Sequence, residues 1–172
     1  YSTRGPGSQF QLKPDISAPS GSFAAVAGTG NQYARAFGTS FSAPITTGAA
    51  ALVKERCFTC SPFAIKDILM NNVDTNIGDQ TTMNITIKKA PLSSVGNGEL
   101  RIGTSLDADF WAFSPDEGDV QPSISLGLFN VAGDILVLRR IRIVSLTNAT
   151  ETIKISVNFR DPSDAALGAL EV

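Results

Sequence analysis

The seven residues from Gly38 to Pro44, Gly-Thr-Ser-Phe-Ser-Ala-Pro, contain the residue types that nucleophilic chemistry needs. Ser40 follows a glycine-led turn and precedes a strongly apolar stretch, so we expect it in the first turn of a helix. The unpaired N–H groups and the positive dipole end of a helix N-terminus suit a developing alkoxide or oxyanion. Ser40 is therefore a candidate catalytic serine.

A simpler interpretation exists for the tripeptide alone, because Ser and Thr are also preferred as ordinary helix N-caps. The residues that follow help to decide what kind of helix this is. From residue 43 to residue 53 only Thr46, Thr47 and Gly48 interrupt a run of apolar side chains. This pattern predicts a helix that is apolar almost all round and buried in the protein.

Other motifs occur around this helix in one order along the chain. They are Tyr1-Ser-Thr-Arg-Gly-Pro, Leu12-Lys-Pro-Asp-Ile-Ser-Ala-Pro and Ser61-Pro, the last followed by Ile65-Lys. Together with the Gly38–Pro44 block they closely resemble the subtilisin-like serine peptidases, over roughly residues 1 to 107. The resemblance implies a catalytic domain with a parallel sheet, of which this chain carries the C-terminal part.

The same resemblance implies a role for individual residues. In this family the pattern Gly-Thr-Ser-x-x-x-Pro carries the nucleophile, which matches Ser40 and not the nearby Ser42. Gly38, Thr39 and Pro44 match the residues that support the nucleophile turn and the oxyanion. The substrate would be a protein or peptide, hydrolysed through an acyl-enzyme on Ser40.

The chain contains no histidine, although a serine nucleophile of this kind needs a base and a third group that orients the base. In the resembled family the order is Asp, His, Ser, so both partners are expected upstream of Tyr1. Asp15 matches the family's structural Lys-Pro-Asp segment and not the triad aspartate. We therefore expect the 172 residues to be a C-terminal piece that is inactive alone.

Composition excludes several classes of function. The chain is 42% hydrophobic and 17% charged, with a formal net charge of −2, which argues against a nucleic-acid partner. It has no apolar run of about 18 residues or more that would span a membrane. We expect no cofactor and find no cluster of calcium or other metal ligands. The family resemblance implies an extracellular or cell-envelope location.

Cys57 and Cys60 are the two cysteines, and they stand three residues apart at the end of the predicted nucleophile helix. They are a candidate disulfide, which secreted proteins permit. Two free buried thiols are the alternative. A zinc site would need two further ligands, and a redox motif needs a different local fold.

The predicted secondary structure alternates between strands and helices, which favours an α/β fold. Ser61 and Pro62 form an N-cap signature for a second helix, which should stop at Asn71-Asn72. The segment Phe23–Gly30 combines an apolar run with a glycine turn, so it is expected to form a strand before Ser40 and to line part of the site. By resemblance, a closing helix is expected near Leu106–Phe113.

From about Pro115 the apolar residues recur with period two, most clearly at Ile153, Ile155, Val157 and Phe159. This pattern predicts an antiparallel strand, paired in a hairpin with residues 141–143. Ser123–Phe129 is a further strand candidate. The unit weakly resembles a fibronectin type III-like β-sandwich, which would be incomplete here.

These observations divide the chain into a peptidase portion, residues 1–114, and a partial antiparallel β-sandwich, residues 115–172. Open strand edges in an incomplete sandwich would favour homo-oligomers. A different hypothesis is a non-catalytic extracellular surface or adhesion protein with a degenerate subtilase domain. The intact Gly-Thr-Ser-x-x-x-Pro pattern argues against it, because drift would be free to replace Ser40.

Overall fold

The computed structural model describes residues 2–79, 88–116, 121–126, 130 and 132–166. Its helices are α1 (Thr39–Arg56), α2 (Pro62–Asn71), α3 (Leu92–Val95), α4 (Ile102–Leu106) and α5 (Pro162–Ala166). Its strands are β1 (Gly21–Ala25), β2 (Tyr33–Phe37), β3 (Val73–Asp74), β4 (Gly78–Asp79), β5 (Lys88–Lys89), β6 (Glu99–Leu100), β7 (Phe110–Phe113) and β8 (Arg142–Ser145). This mixed content fits the predicted α/β class.

The strands of the described residues pair as four antiparallel two-stranded sheets, β1 with β2, β3 with β6, β4 with β5 and β7 with β8. The β7–β8 pair joins residues on either side of position 114, with Trp111 opposite Val144. The parallel sheet, the β-sandwich and the division into two domains stay predictions.

Helices α1 and α2 form the centre of the core. The buried cluster consists of Ala49, Val53, Cys60, Ala64, Ile68, Leu69 and Leu100, most of them on these two helices. Helix α2 begins as predicted, since the Ser61 hydroxyl accepts a hydrogen bond from the Ala64 N–H at 3.2 Å and Pro62 occupies the first turn. It ends at Asn71, with the Asn72 amide donating to the Ile68 carbonyl at 2.8 Å.

Helix α1 is not buried all round, so that prediction was wrong for the described part of the chain. Only Ala49 and Val53 are buried, because α2 and α4 cover just one side of the helix. The opposite side is a continuous exposed stripe with helical spacing. The stripe consists of Ser40, Ala43, Pro44, Thr47, Gly48, Ala51, Leu52 and Glu55.

Residues 12–19, which we call the Lys-Pro-Asp segment, are held by a close backbone junction with residues 96–100. The Ser17 N–H donates to the Gly98 carbonyl at 2.9 Å, and the Leu100 N–H donates to the Ser17 carbonyl at 2.8 Å. Gly96 has a φ of 62°, and a Cβ there would lie 2.4 Å from the Pro14 carbonyl oxygen. Only glycine fits this approach without a backbone shift.

Three predicted elements differ in the described residues. Helix α4 ends at Leu106, and residues 110–113 form β7 because this aromatic run pairs with β8 and contacts α2. Residues 151–159 form no strand, since β8 takes β7 as its partner and leaves this alternating segment without one. Of the strand predicted at Ser123–Phe129, residues 123–126 form no strand and the remaining three lie outside the described residues.

Asp67 is a carboxylic acid in the interior of α2. Its side chain is 0% exposed, and neither carboxylate oxygen has a hydrogen-bond partner in the described part of the protein. Burial raises the pKa of Asp67 to about 6, against a smaller opposing effect of the Lys66 charge. The folded protein therefore keeps this carboxyl group protonated up to about pH 6, above the range of an ordinary aspartate.

Replacing Gly96 with alanine tests the backbone junction. We expect Gly96→Ala to lower the free energy of unfolding by about 2 kcal/mol or more, because the new Cβ clashes with backbone and the φ is strained. The matched control is Gly103→Ala in α4, where a Cβ meets nothing within 4 Å. The control should be neutral or slightly stabilising in urea titrations. Equal losses in both variants would contradict the junction.

Replacing Asp67 with asparagine tests the buried acid. The pKa of Asp67 is higher in the folded state than the ordinary 3.8, so its ionisation costs stability as pH rises from about 4 to about 6. The stability of Asp67→Asn relative to the unchanged protein should therefore increase over this interval and become constant above it. Urea titrations at several pH values measure the difference. A difference that does not change with pH would show that Asp67 titrates normally.

Candidate active site

Ser40 lies in the first turn of α1, as the sequence predicts. The N-cap is Gly38, so Thr39 and Ser40 are the first two helical residues and neither serves as the cap. Gly38 has a φ of 138°, in the region that favours glycine, and its N–H donates to the Ser20 carbonyl at 2.9 Å. The end of β2 at Phe37 therefore leads directly into the turn that presents Ser40.

The hydroxyl groups of Ser40 and Ser42 have different surroundings. Ser42 Oγ donates to the carbonyls of Ala18 at 3.2 Å and Pro19 at 3.1 Å, so this serine anchors α1 to the Lys-Pro-Asp segment. Ser40 is exposed, and among the described residues its hydroxyl has no hydrogen-bond partner. Of the two serines, Ser40 is the one whose hydroxyl is exposed and unbonded in the described part of the chain.

Backbone groups around Ser40 are unpaired for reasons of helix geometry. The N–H groups of Thr39 and Ser40 have no carbonyl four residues earlier within the helix. Pro44 lies inside α1 and has no N–H, so it leaves the Ser40 carbonyl without its usual helical donor. The free N–H groups make this end of α1 suited to a negatively charged oxygen.

Asp15 does not take part in this arrangement. Its carboxylate forms ion pairs with Lys13 at 2.7 Å and with Lys66 of α2 at 3.0 Å. Burial raises the pKa of Asp15, but the hydrogen bonds from both lysines outweigh burial and hold the pKa below its ordinary value. The ion pairs connect the Lys-Pro-Asp segment to α2, which agrees with a structural role.

The strands before Ser40 carry an exposed aromatic face, of which the sequence interpretation anticipated Phe23 but not the residues of β2. In the β1–β2 register, Phe23 lies opposite Arg35, and Gly21 lies opposite Phe37, so these residues share one face with Tyr33. Phe23 is 73% exposed and Tyr33 is 71% exposed. The signal in the sequence was the alternation of large and small residues in Tyr-Ala-Arg-Ala-Phe, which places the large ones on one face.

The other end of α1 is fixed covalently. Cys57, the C-cap of α1, is joined to Cys60 by a disulfide. Lys54 Nζ donates to the carbonyls of Phe58 at 2.6 Å and Cys60 at 2.9 Å, and so stabilises the same loop. The disulfide lies at the opposite end of the helix from Ser40, where it stabilises the start of α2.

Within the described residues, no group of His, Cys, Asp or Glu side chains could hold a metal ion. No described helix is both long and apolar enough to cross a membrane.

Comparison with known proteins places these features in a family. The family model described as the subtilase family, Peptidase S8, matches residues 1–98 of the 172. The subtilisin-like protease SBT3.16 of Arabidopsis thaliana is 40% identical over 72 residues, which cover 41% of this chain and 10% of that protein. The match therefore spans about a tenth of the length of this relative. With more than half of its residues matched by the family model, the chain belongs to the subtilase family.

Proposed function

We propose that the protein is a subtilisin-like serine endopeptidase in which Ser40 attacks the scissile carbonyl and forms an acyl-enzyme. The observation that carries this proposal is the contrast between the two serines of the motif. Ser42 Oγ is occupied by two backbone carbonyls, whereas Ser40 is exposed at the start of α1. The arrangement leaves one hydroxyl ready for acyl transfer and uses the other to hold it in place.

The N-terminus of α1 supplies electrostatic stabilisation in this proposal. The Ser40 N–H and the helix dipole lie where negative charge develops on the carbonyl oxygen during attack. Gly38 allows the turn that exposes Ser40, and Thr39 and Pro44 flank the nucleophile in the same helical turns. The aromatic face of β1 and β2 adds an apolar surface on which a peptide substrate can lie.

The general base lies outside these 172 residues in this proposal, because the chain has no histidine. The base would be a histidine oriented by an aspartate, both upstream in the family order. Without them the Ser40 hydroxyl keeps its proton and is a weak nucleophile at neutral pH. The 172 residues alone are therefore proposed to be inactive.

The exposed stripe of α1 supports a second part of the proposal. In the complete catalytic domain, a parallel sheet packs over this helix. Between Ala43 and Leu52 the stripe is made of small or apolar residues, and Leu52 is 42% exposed. A surface of this kind is normally covered in a stable protein, since its burial contributes favourable free energy. We propose that the remaining catalytic domain covers this part of the stripe and leaves Ser40 accessible, while residues 115–172 begin the β-domain.

An extracellular or cell-envelope location is part of the proposal. The disulfide between Cys57 and Cys60 supports it, because disulfides persist in oxidising compartments and are uncommon in reducing ones. Protein and peptide substrates are available both outside the cell and in the cell envelope.

Labelling with a fluorophosphonate tests the proposal directly. A longer chain that includes the upstream family motifs should be labelled on Ser40 and hydrolyse peptides, as read by intact mass and peptide mapping. The 172 residues alone should react slower by several orders of magnitude, because the base is missing. Ser40→Ala should abolish labelling of the longer chain.

Ser42→Ala is the matched control for this experiment. It removes a hydroxyl two residues away and two hydrogen bonds to the Ala18 and Pro19 carbonyls. We expect it to keep the label on Ser40 while lowering stability by about 1 kcal/mol. A folded longer chain that is not labelled at all would contradict the peptidase and favour the non-catalytic surface protein.

A further inference from the structure

The turn that follows β8 carries an asparagine that the peptidase proposal does not use. Asn148, Ala149 and Thr150 match the pattern Asn-x-Thr, without proline in the middle, which marks acceptors of N-linked glycans. Because the pattern is short, its structural surroundings decide whether it can act as an acceptor. The chain has a second match at Asn84-Ile-Thr, which lies outside the described residues.

The two side chains that an acceptor must present are both accessible. Asn148 and Thr150 are exposed, and within the described part of the chain neither side chain makes a hydrogen bond. The carboxamides of Asn71, Asn72 and Asn97 differ, because each of them is bonded to a backbone group of another residue. Asn148 is therefore an asparagine that the fold leaves available for modification.

The backbone around Asn148 also suits an acceptor. Strand β8 ends at Ser145, and the turn after it is held through Thr147. The Thr147 N–H donates to Ser145 Oγ at 3.1 Å, and Thr147 Oγ1 accepts from the Ala149 N–H at 3.3 Å. Residues 150–159 belong to no helix or strand. The acceptor segment can therefore enter the active site of a transferase without giving up helix or sheet hydrogen bonds.

This turn lies at the disulfide end of α1. Ser145 and Leu146 line a cavity of about 400 Å³ together with Cys57 and Cys60. Helix α1 has 18 residues, which makes it roughly 27 Å long, and Ser40 is in its first turn. A bulky group on the turn after β8 would therefore be distant from the candidate nucleophile.

We propose that Asn148 is an N-linked glycosylation site. In the transfer, Asn148 Nδ2 forms a bond to the anomeric carbon of an oligosaccharide that is carried on a lipid pyrophosphate. The bond between that carbon and the pyrophosphate oxygen breaks, and the pyrophosphate leaves with the electron pair. Asn148 Nδ2 loses one proton to a base of the transferase. Thr150 supplies the hydroxyl that the transferase requires two residues after the asparagine.

The disulfide gives independent support to this proposal. Cys57 and Cys60 are bonded, which is typical of chains that mature in an oxidising secretory compartment. N-linked glycans are also a modification of secreted proteins and occupy surface loops. The proposal shares its location with the proposed function, but it does not depend on peptidase activity.

Expression of the chain with a signal peptide in a eukaryotic secretory host tests the proposal. The Asn84→Gln variant is used throughout, so that Asn148-Ala-Thr is the remaining acceptor in the sequence. Chains whose signal peptide has been removed count as translocated, whether they are secreted or retained. We expect intact mass to show a glycan on most translocated chains. Peptide N-glycosidase in heavy-oxygen water should then convert Asn148 to a labelled aspartate, located by peptide mapping.

Matched variants assign the glycan to this acceptor. Thr150→Ala should abolish glycosylation and Thr150→Ser should retain it, whereas Thr152→Ala removes another exposed hydroxyl and should change nothing. Ser40→Ala should also leave the glycan in place. Translocated chains without a glycan on Asn148 would overturn the proposal, as would a glycan that persists in Thr150→Ala. Unfolding of the glycosylated chain under conditions in which the glycosidase-treated chain is folded would also overturn it, because an exposed Asn148 allows glycan and fold to coexist.

Discussion

The position of Ser40 depends on how the Lys-Pro-Asp segment is held between two parts of the chain. On one side, the Ser42 hydroxyl binds the carbonyls of Ala18 and Pro19 and fixes the start of α1. On the other side, Gly96 allows the backbone of residues 96–100 to approach within hydrogen-bonding distance. Loss of either contact would weaken the support of the turn that carries Ser40.

Helix α1 connects this support to the core. Its covered side packs on α2, and its C-terminal end is closed by the disulfide and by Lys54. Its N-terminal end carries a serine whose hydroxyl is left unbonded by the described residues. The same helix therefore combines an attachment to the core with an exposed N-terminal end, and residues held on such a rigid element keep a defined position.

Features that neighbouring residues determine, such as turns and helix caps, were predictable from the sequence. The pairing of strands that are distant in the chain was not. The turn at Gly38 and the Ser61 cap follow from residues close together in the chain. The strand at residues 110–113 and the absence of one at 151–159 depend on which segment pairs with β8. The bare side of α1 could not be predicted, because apolarity indicates that a surface is covered but not which residues cover it.

The long separation between the two sides of the junction affects the order of events in folding. The Ser17 hydroxyl and the Gly98 carbonyl are 81 positions apart, so their contact closes a long loop at a high entropic cost. Helices α1 and α2 are neighbours in sequence and can associate earlier. During synthesis on the ribosome, α1 is therefore complete well before residue 98 emerges to fix the segment beneath it. A growing chain thus leaves the turn that carries Ser40 in an unfixed orientation until most of this region has been made.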